Sequence, residues 1–279
     1  MRHMPRGAST PTAYLGDVER VGREDPRRAR QLARAVEQGA RGAGDRVGLL
    51  RAMALGGKMA IAMGDLDDAC ATAGRIEGAS VGLDHPCAEV AVLTFQSQLA
   101  FFLGAHRDAL VSATRAIAIA DSTNDRVLRA AARRGTCAVI GTLEAPMLRT
   151  VLRERHELCD ETDLWDRGVI HNDFAVIAIQ DGDIASARDE LVMASEAAAQ
   201  LDESAVSLRT VVDGTWAELH LALGAPDEAL PYLHSAQRRL QTADSQHPYL
   251  CGITTSLAIQ VHTARGLSLI HISEPTRPY

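Results

Sequence analysis

Four short phrases in this sequence share one pattern, a glycine followed five residues later by an alanine. Consecutive glycines of the pattern lie 40, 78 and 42 residues apart, and the double spacing predicts a degenerate copy near Thr142. A period of about 40 residues is typical of a solenoid built from stacked helical units. The phrases are MGDLDDAC, LGAHRDAL, QDGDIASA and LGAPDEAL, with the pairs Gly64/Ala69, Gly104/Ala109, Gly182/Ala187 and Gly224/Ala229.

Each repeat predicts a pair of helices. Apolar stretches such as AEVAVLTFQSQLAFFL precede the glycine, and amphipathic stretches such as HRDALVSATRAIAIA follow it, with apolar residues three and four positions apart. The glycine ends the first helix because it adopts positive φ without a Cβ clash, and Asp or Pro opens the second. No alternating β pattern competes, so we expect an all-α chain of about ten or eleven helices. Polar breaks separate the pairs at 83–86, 121–125, 160–163, 201–204 and 243–248.

The two ends of the repeat region carry incomplete units. Residues 25–43 look like the second helix of an earlier unit, and a weak helix at 14–23 precedes them. Residues 249–265 look like the first helix of a further unit. We therefore expect an N-terminal segment over 1–24, partly disordered or one weak helix, and one helical repeat domain over 25–266.

Small residues recur at further positions where paired helices must approach closely. Seven residues before the glycine stand Gly57, Ser97, Ala175 and Ala217, and twelve after it stand Ala116, Ala194 and Ala236, with Ile76 as the exception. Over about residues 46–243 this register resembles the tetratricopeptide repeat, although the usual large aromatics are mostly missing and the repeats exceed the usual 34 residues. The resemblance implies a right-handed superhelix whose first helices line a concave binding face. Long, Ala-rich repeats of this kind look like those of bacterial signalling regulators.

The resemblance also implies which side chains contact a partner, because groove contacts in the family come from set positions on the first helix. Asn172 ranks first, since Asn at this position resembles the family's backbone-gripping asparagine. The set is polar and of mixed sign, as a peptide or protein groove would be, and the alternative that these side chains are merely solvated stays open. The positions are Arg51, Lys58, Thr94, Gln98, Phe102, Arg129, Thr136, Asn172, Gln180 and Glu218.

Few motifs carry recognisable chemistry. No phosphate-binding loop, G-x-S-x-G or H-E-x-x-H pattern is present. His156 and Cys159 stand one turn apart but lack the second pair of ligands that zinc requires, and the acidic run 65–68 lacks calcium-loop spacing. The cluster at 171–173, His-Asn-Asp, could be catalytic, but polar residues facing a groove are the favoured interpretation. We therefore expect no catalytic residue, metal site or cofactor in this region.

Composition and charge limit the cellular locations and the classes of partner that we expect for this chain. The formal charge of −7 gives no broad basic footprint for nucleic acid, and no uninterrupted apolar run is long enough to span a membrane. No secretory signal is visible, and the five cysteines form no C-x-x-C pair. These features predict a cytoplasmic protein with reduced, mostly buried thiols that binds neither nucleic acid nor membrane.

The last thirteen residues, 267–279, differ in character from the rest of the chain. Leu267–Arg277 back-translates to a string that resembles a transposon-type sequencing-library adapter read in frame, so we expect 267–279 to be a non-native tail. We also expect LSLIHI to extend the preceding helix by a turn or two. On this interpretation the gene continues, and by analogy with similar arrangements we expect a C-terminal output domain. A diguanylate cyclase is the leading candidate, followed by a DNA-binding helix-turn-helix or a histidine kinase.

Two functions remain after these exclusions. The first is a non-catalytic scaffold or sensory module of a cytosolic bacterial signalling protein, whose groove binds a peptide, a protein segment or its own output domain. The alternative is a small-molecule-sensing domain of a transcriptional regulator or histidine kinase, with its ligand near Phe102, Arg129 and Asn172. A closed pocket favours the second function and an open groove favours the first.

Overall fold

The structure, a computed structural model, describes residues 14–143, 145–202, 205–242 and 248–266. These residues form thirteen α-helices and no strand, which confirms the all-α prediction. The count exceeds the expected ten or eleven because the N-terminal helices complete a further pair; the expected helical extension of the tail lies outside the described residues. The helices are α1 (Leu15–Gly22), α2 (Pro26–Ala43), α3 (Arg46–Ala62), α4 (Leu66–Ser80), α5 (Pro86–Phe102), α6 (His106–Asp121), α7 (Arg126–Leu143), α8 (Ala145–Leu158), α9 (Leu164–Asp181), α10 (Ile184–Gln200), α11 (Val206–Ala222), α12 (Pro226–Thr242) and α13 (Pro248–Ala264).

The turns inside the pairs follow the predicted chemistry. Gly64, Gly104, Gly182 and Gly224 all adopt positive φ, between 70° and 77°. Because these backbone conformations strain any residue with a Cβ, glycine ends the first helix at each point. Aspartates then cap the second helices α4 and α10: the Asp65 carboxylate accepts a hydrogen bond from the amide N–H of Asp68, and Asp183 accepts one from that of Ser186. In the degenerate copy α7 ends at Leu143, one residue after the predicted position Thr142, and α8 begins at Ala145.

The small residues that recur in each repeat are buried, as predicted. Ala69, Ala109, Ala187 and Ala229 are each fully buried at the contact between paired helices. At Gly57 the absence of a side chain is required, since a Cβ there would overlap the ring of Phe95. The register therefore sets how closely α3 approaches α5 and how closely each pair packs.

The chain divides into two compact units, with the boundary between Val139 and Ile140 inside α7. In the first unit α3 packs against α2, α4 and α5, and α1 also contacts α3. Leu50, Ile76 and Phe95 form the centre of its largest core cluster. Unit 1 thus carries the first helices of successive pairs side by side, with the second helices packed against them.

In the second unit α9 packs against α8, α10 and α11, and α11 packs against α12 and α13. Its core centres on Leu191, Leu208 and Leu219. The same order of first and second helices recurs, which confirms a helical repeat fold within each unit. The right-handed winding inferred from the family resemblance stays a prediction.

The structure bears on two expectations drawn from composition, one on membrane-spanning segments and one on buried thiols. No helix among the described residues combines the length and the hydropathy needed to cross a lipid bilayer. The expectation of mostly buried thiols is wrong, because only Cys137 of the five cysteines is buried. Cys70 shows the reason: it follows the buried Ala69, and one helical step of about 100° turns it outward.

Candidate functional site

In unit 1 the predicted groove residues of α3 and α5 lie on adjoining faces of two neighbouring helices. Arg51 and Lys58 stand seven residues apart on α3, and Thr94, Gln98 and Phe102 follow one another at steps of four on α5. Lys58 Nζ donates to Thr94 Oγ1 over 2.8 Å and joins the two faces. Thr94 is itself buried, whereas the other four side chains keep partial or full exposure. We call these five residues the first-helix surface of unit 1.

The next first helix, α7, borders this surface. Gln98 Nε2 donates to the backbone carbonyl oxygen of Gly135 over 3.0 Å. A Cβ at position 135 would lie 2.9 Å from Thr94 Cγ2, so glycine is what lets α7 approach α5 this closely. Three successive first helices therefore contribute to one polar area.

Lys58 is the most perturbed group on this surface. It keeps partial exposure to solvent, yet protein surrounds its ammonium group, and this burial lowers its pKa to about 8. Glu19 acts against the lowering and Arg134 adds to it. Because the Thr94 hydroxyl donates to the Ala91 carbonyl, its oxygen is oriented to accept from Lys58. The Lys58 amine therefore loses its proton at a lower pH than an exposed lysine does.

An open cleft lies beside this lysine. Its walls come from α1, α3 and α5, with Leu15 and Leu55 supplying apolar surface. Arg51 and Lys58 bring positive charge to the cleft, and Glu19 brings one carboxylate. The cleft is small, about 40 Å³ in volume, which is room for about one water molecule.

The remaining predicted groove residues of unit 1 have partners within the protein. Arg129 Nε donates to Asp121 Oδ1 over 3.1 Å, and the almost fully buried Arg133 donates to both oxygens of the same carboxylate over 2.8 and 2.9 Å. Burial alone would raise the pKa of Asp121, but the hydrogen bonds and charges of Arg133 and Arg129 lower it. Thr136 is fully buried, and its hydroxyl donates to the Ala132 carbonyl over 2.9 Å.

Unit 2 carries the other three predicted groove residues, and their environments differ widely. Asn172 is buried, and its Oδ1 atom has no hydrogen-bond partner among the described residues. Gln180 is exposed at the end of α9. Burial raises the pKa of Glu218 on α11. A role for these three residues in partner binding stays a prediction.

The structure brings together two motifs that the sequence presents separately. The His156 ring on α8 packs edge-on against the His171 ring on α9, with 5.6 Å between the ring centroids. The buried Arg155 forms an ion pair with the buried Asp166, and its Nη1 atom lies 3.5 Å from Asp173 Oδ2. Sequence reasoning missed Arg155, although Asp166 and Asp173 stand seven residues apart on one face of α9 and form an acidic pair suited to an arginine.

The chemistry of this cluster favours a structural role. Burial raises the pKa of Cys159 to about 11, and the charges of Asp166 and Asp163 act in the same direction. A thiol with so high a pKa is a poor nucleophile at neutral pH. No group of three or more His, Cys, Asp or Glu side chains is arranged to hold a metal in the part of the chain that the structure describes. The ion pairs thus join α8 to α9 and leave no activated nucleophile.

Two further contacts complete the cluster. His171 Nδ1 lies 2.7 Å from Glu190 Oε2 on α10, while its Nε2 atom is buried without a partner among the described residues. Burial raises the pKa of Asp173 to about 6, and the opposing charge of Arg155 does not cancel that effect. Arg155 thus links α8 to α9, and the His171–Glu190 contact links α9 to α10.

Comparison with known proteins bears on the fold only. No protein-family model matches the chain, and no curated protein matches it in sequence. Its fold is similar to that of a solved structure, the crystal structure of BtubC (BKLC) from P. vanneervenii, with a TM-score of 0.58 and 14% sequence identity. The similarity covers 86% of this chain and 95% of that chain. At this level of identity the two share an all-helical fold, and nothing follows about function.

Proposed function

We propose that this chain is a non-catalytic binding module of the tetratricopeptide-like class, and that the first-helix surface of unit 1 binds a peptide or protein segment. One observation carries the proposal: the Lys58–Thr94 hydrogen bond joins α3 to α5, and Gln98 of α5 bonds to α7 at the edge of the same area. Repeat proteins bind extended partners on such runs of neighbouring helices.

The side chains of this surface suit the parts of a peptide. Gln98 uses its amide N–H on Gly135, and its carbonyl oxygen remains able to accept a hydrogen bond from a peptide N–H. Phe102, with 43% of its surface exposed, offers an apolar anchor of the kind that dominates interfaces. Arg51 adds a charge at the open cleft. A mixed polar and aromatic surface is typical of peptide recognition.

The cellular setting forms part of the same proposal. We place the module in a cytosolic bacterial signalling protein, where binding regulates an output. Long, Ala-rich repeats and free thiols support this setting. Nucleic acid and membrane are not among the proposed partners.

The small-molecule alternative has less support at the place where the sequence suggested it. Arg129 is engaged by Asp121, and Asn172 belongs to the core of unit 2. The cleft beside Lys58 opens to solvent rather than enclosing a ligand. An open surface of this kind favours a peptide or protein segment.

A displayed library of random twelve-residue peptides, selected against the full chain, tests the proposal. We expect Arg51→Glu and Phe102→Ala each to weaken the selected peptides by about tenfold, roughly 1.4 kcal/mol, because both remove side chains that contact the peptide. Isothermal titration calorimetry measures the dissociation constants.

Two controls match these variants in chemistry but lie elsewhere. Arg27→Glu changes an exposed arginine of α2, and Val81→Ala shortens a side chain that is 73% exposed beyond α4. Both controls should bind the peptides as the wild type does. Selected peptides that ignore Arg51 and Phe102, or a selection without any specific binder, would refute the proposal.

A further inference from the structure

The three first helices of unit 1 are basic, although the chain as a whole has a formal net charge of −7. Together α3, α5 and α7 contain one carboxylate, Glu89, and seven basic side chains. In unit 2 the first helices α9, α11 and α13 contain two arginines and five carboxylates instead. The second helix α2 is basic as well, but three of its five arginines pair with carboxylates of α2 or α4. The seven basic residues are Arg46, Arg51, Lys58, Arg126, Arg129, Arg133 and Arg134.

Only part of this positive charge is compensated within the protein. Two arginines of α7 share the Asp121 carboxylate. On α3, neither Arg51 nor Lys58 forms an ion pair with a carboxylate among the described residues, although Glu19 lines the same cleft. One nearby carboxylate cannot neutralise both cations, so the surface along α3 keeps a net positive charge.

The uncompensated charges follow the axis of α3 and reach α7. Arg51 and Lys58 lie on the same face of α3, about 10 Å apart along its axis, because seven residues make almost two turns. Lys58 Nζ donates to Thr94 Oγ1 over 2.8 Å, and a Cβ at position 135 would lie 3.5 Å from Nζ. We call this meeting point of Lys58, Thr94 and Gly135 the three-helix junction. Arg134 precedes Gly135 on α7 and adds its charge there.

An apolar anchor lies beyond the junction on α5. The exposed Phe102 follows Thr94 by eight residues, which places it about 12 Å further along the axis of α5. Because helices joined by short turns are antiparallel, the first helices α3 and α5 run in the same direction. Arg51, the three-helix junction and Phe102 therefore follow one another over about 22 Å, a length that an extended peptide covers with about seven residues.

We propose that the peptide bound by the first-helix surface of unit 1 is acidic, with carboxylates at Arg51 and at the three-helix junction and an apolar side chain at Phe102. This inference rests on the proposed peptide-binding function and names the class of peptide. Two cations about 10 Å apart along one helix cannot share a single carboxylate, so a segment with at least two acidic residues fits better than a small anion. Complementary charge also favours the correct partner and speeds its association.

Nucleic acid is the other common polyanion, and it fits this surface less well. Proteins that bind single strands combine positive charge with aromatic rings on which successive bases stack. Among the rings of α3, α5 and α7, Phe102 is the exposed one, whereas Phe95 is buried and Phe101 is half-buried. One ring at the end of the surface suits a single apolar side chain of a peptide.

The peptides selected against the full chain from the random twelve-residue library test the inference. We expect the binders to contain at least about twice as much Asp and Glu as the unselected library, because acidic side chains meet uncompensated cations. One binder is then compared by calorimetry, at about pH 7, with a version in which every Asp is Asn and every Glu is Gln. The neutral version should bind at least about tenfold more weakly. Raising NaCl from about 0.05 M to about 0.5 M should remove most of this difference, because salt screens exposed charges.

Variants of the protein show whether Arg51 and Lys58 receive the carboxylates. Arg51→Gln and Lys58→Gln should each weaken the acidic peptide by about fivefold and change the affinity of the neutral version by less than about twofold. The matched control Arg27→Gln, on α2, should leave both affinities unchanged. In a charge swap, Arg51→Glu should recover binding when one acidic residue of the peptide is replaced by lysine, a gain that misfolding cannot produce. Circular dichroism confirms that each variant is folded.

Three outcomes would overturn the inference. Specific binders without enrichment in Asp and Glu, or equal affinities for the acidic peptide and its neutral version, would refute the acidic class and leave the proposed peptide-binding function standing. Displacement of the acidic peptide by an equal concentration of a twelve-residue oligothymidylate would assign the surface to nucleic acid. A selection without any specific binder would refute the proposed function, and this inference with it.

Discussion

At the scale of single residues, the most consequential features are arginines buried against carboxylates. Arg133 is 1% exposed and holds Asp121, and Arg155 is 2% exposed and pairs with Asp166. Breaking such a pair by removing one partner leaves an uncompensated buried charge. These pairs therefore fix how α7 meets the end of α6 and how α8 meets α9, although neither pair was identified from the sequence.

Asp173 yields a prediction whose sign follows from its raised pKa. Its folded-state pKa of about 6 exceeds the unfolded value of about 3.9, so between these limits the folded protein binds more protons. The free energy of unfolding of the wild type therefore falls as pH rises from about 4 to about 6. The Asp173→Asn variant has no carboxyl to ionise and therefore does not lose this stability. At pH 7.5 it should be more stable than the wild type by about 1–2 kcal/mol, less than the full pKa shift implies because the Asp173 side chain keeps some exposure to solvent.

Urea denaturation at pH 4.5 and pH 7.5 measures this effect. The matched control Asp189→Asn, an exposed carboxyl on α10, should change stability by less than about 0.5 kcal/mol at both values. A stability difference between wild type and Asp173→Asn that is the same at both pH values would contradict the assignment of the raised pKa.

At the scale of the helices, the repeated small residues determine how closely the pairs pack. Ala109 on α6 and Ala187 on α10 occupy equivalent positions five residues after their glycines, and both are fully buried. Ser97 on α5 is likewise buried, and its hydroxyl donates to the Ala109 carbonyl over 2.9 Å. A larger side chain at either alanine would force the paired helices apart.

We therefore expect Ala109→Leu and Ala187→Leu each to destabilise the protein by about 1–3 kcal/mol through overpacking. Val111→Leu and Val192→Leu enlarge side chains on the same two helices that are 57% and 43% exposed, and they should cost less than about 0.5 kcal/mol. Chemical denaturation measures all four midpoints. Unchanged midpoints for the alanine variants would mean that the repeat register is wrong.

At the scale of the whole molecule, the sequence predicted the architecture better than the site. Positive-φ glycines and fully buried alanines recur with the period of the fold, so Gly64, Ala69 and their equivalents could be located from spacing alone. The groove positions depend on the rotation of each helix about its own axis. Spacing along the sequence does not fix that rotation, and Thr94, Thr136 and Asn172 accordingly lie buried.

Contacts across pairs were harder still to predict from the sequence. The Lys58–Thr94 hydrogen bond joins residues 36 positions apart, and the Arg155–Asp166 pair depends on where α8 ends relative to α9. No periodic pattern encodes such contacts, because each occurs once in the chain. The cleft beside Lys58 follows from the packing of three helices and is visible only in three dimensions.

Hydrogen–deuterium exchange with a selected peptide tests most directly whether the first helices of unit 1 form a binding surface. Saturating peptide should slow exchange in Arg46–Ala62 and Pro86–Phe102, the helices that carry the surface, because bound peptide suppresses their local opening. Exchange in the second helices, Leu66–Ser80 and His106–Asp121, should remain unchanged. Protection confined to these second helices, or no protection in either set while the peptide is bound, would contradict the proposed function.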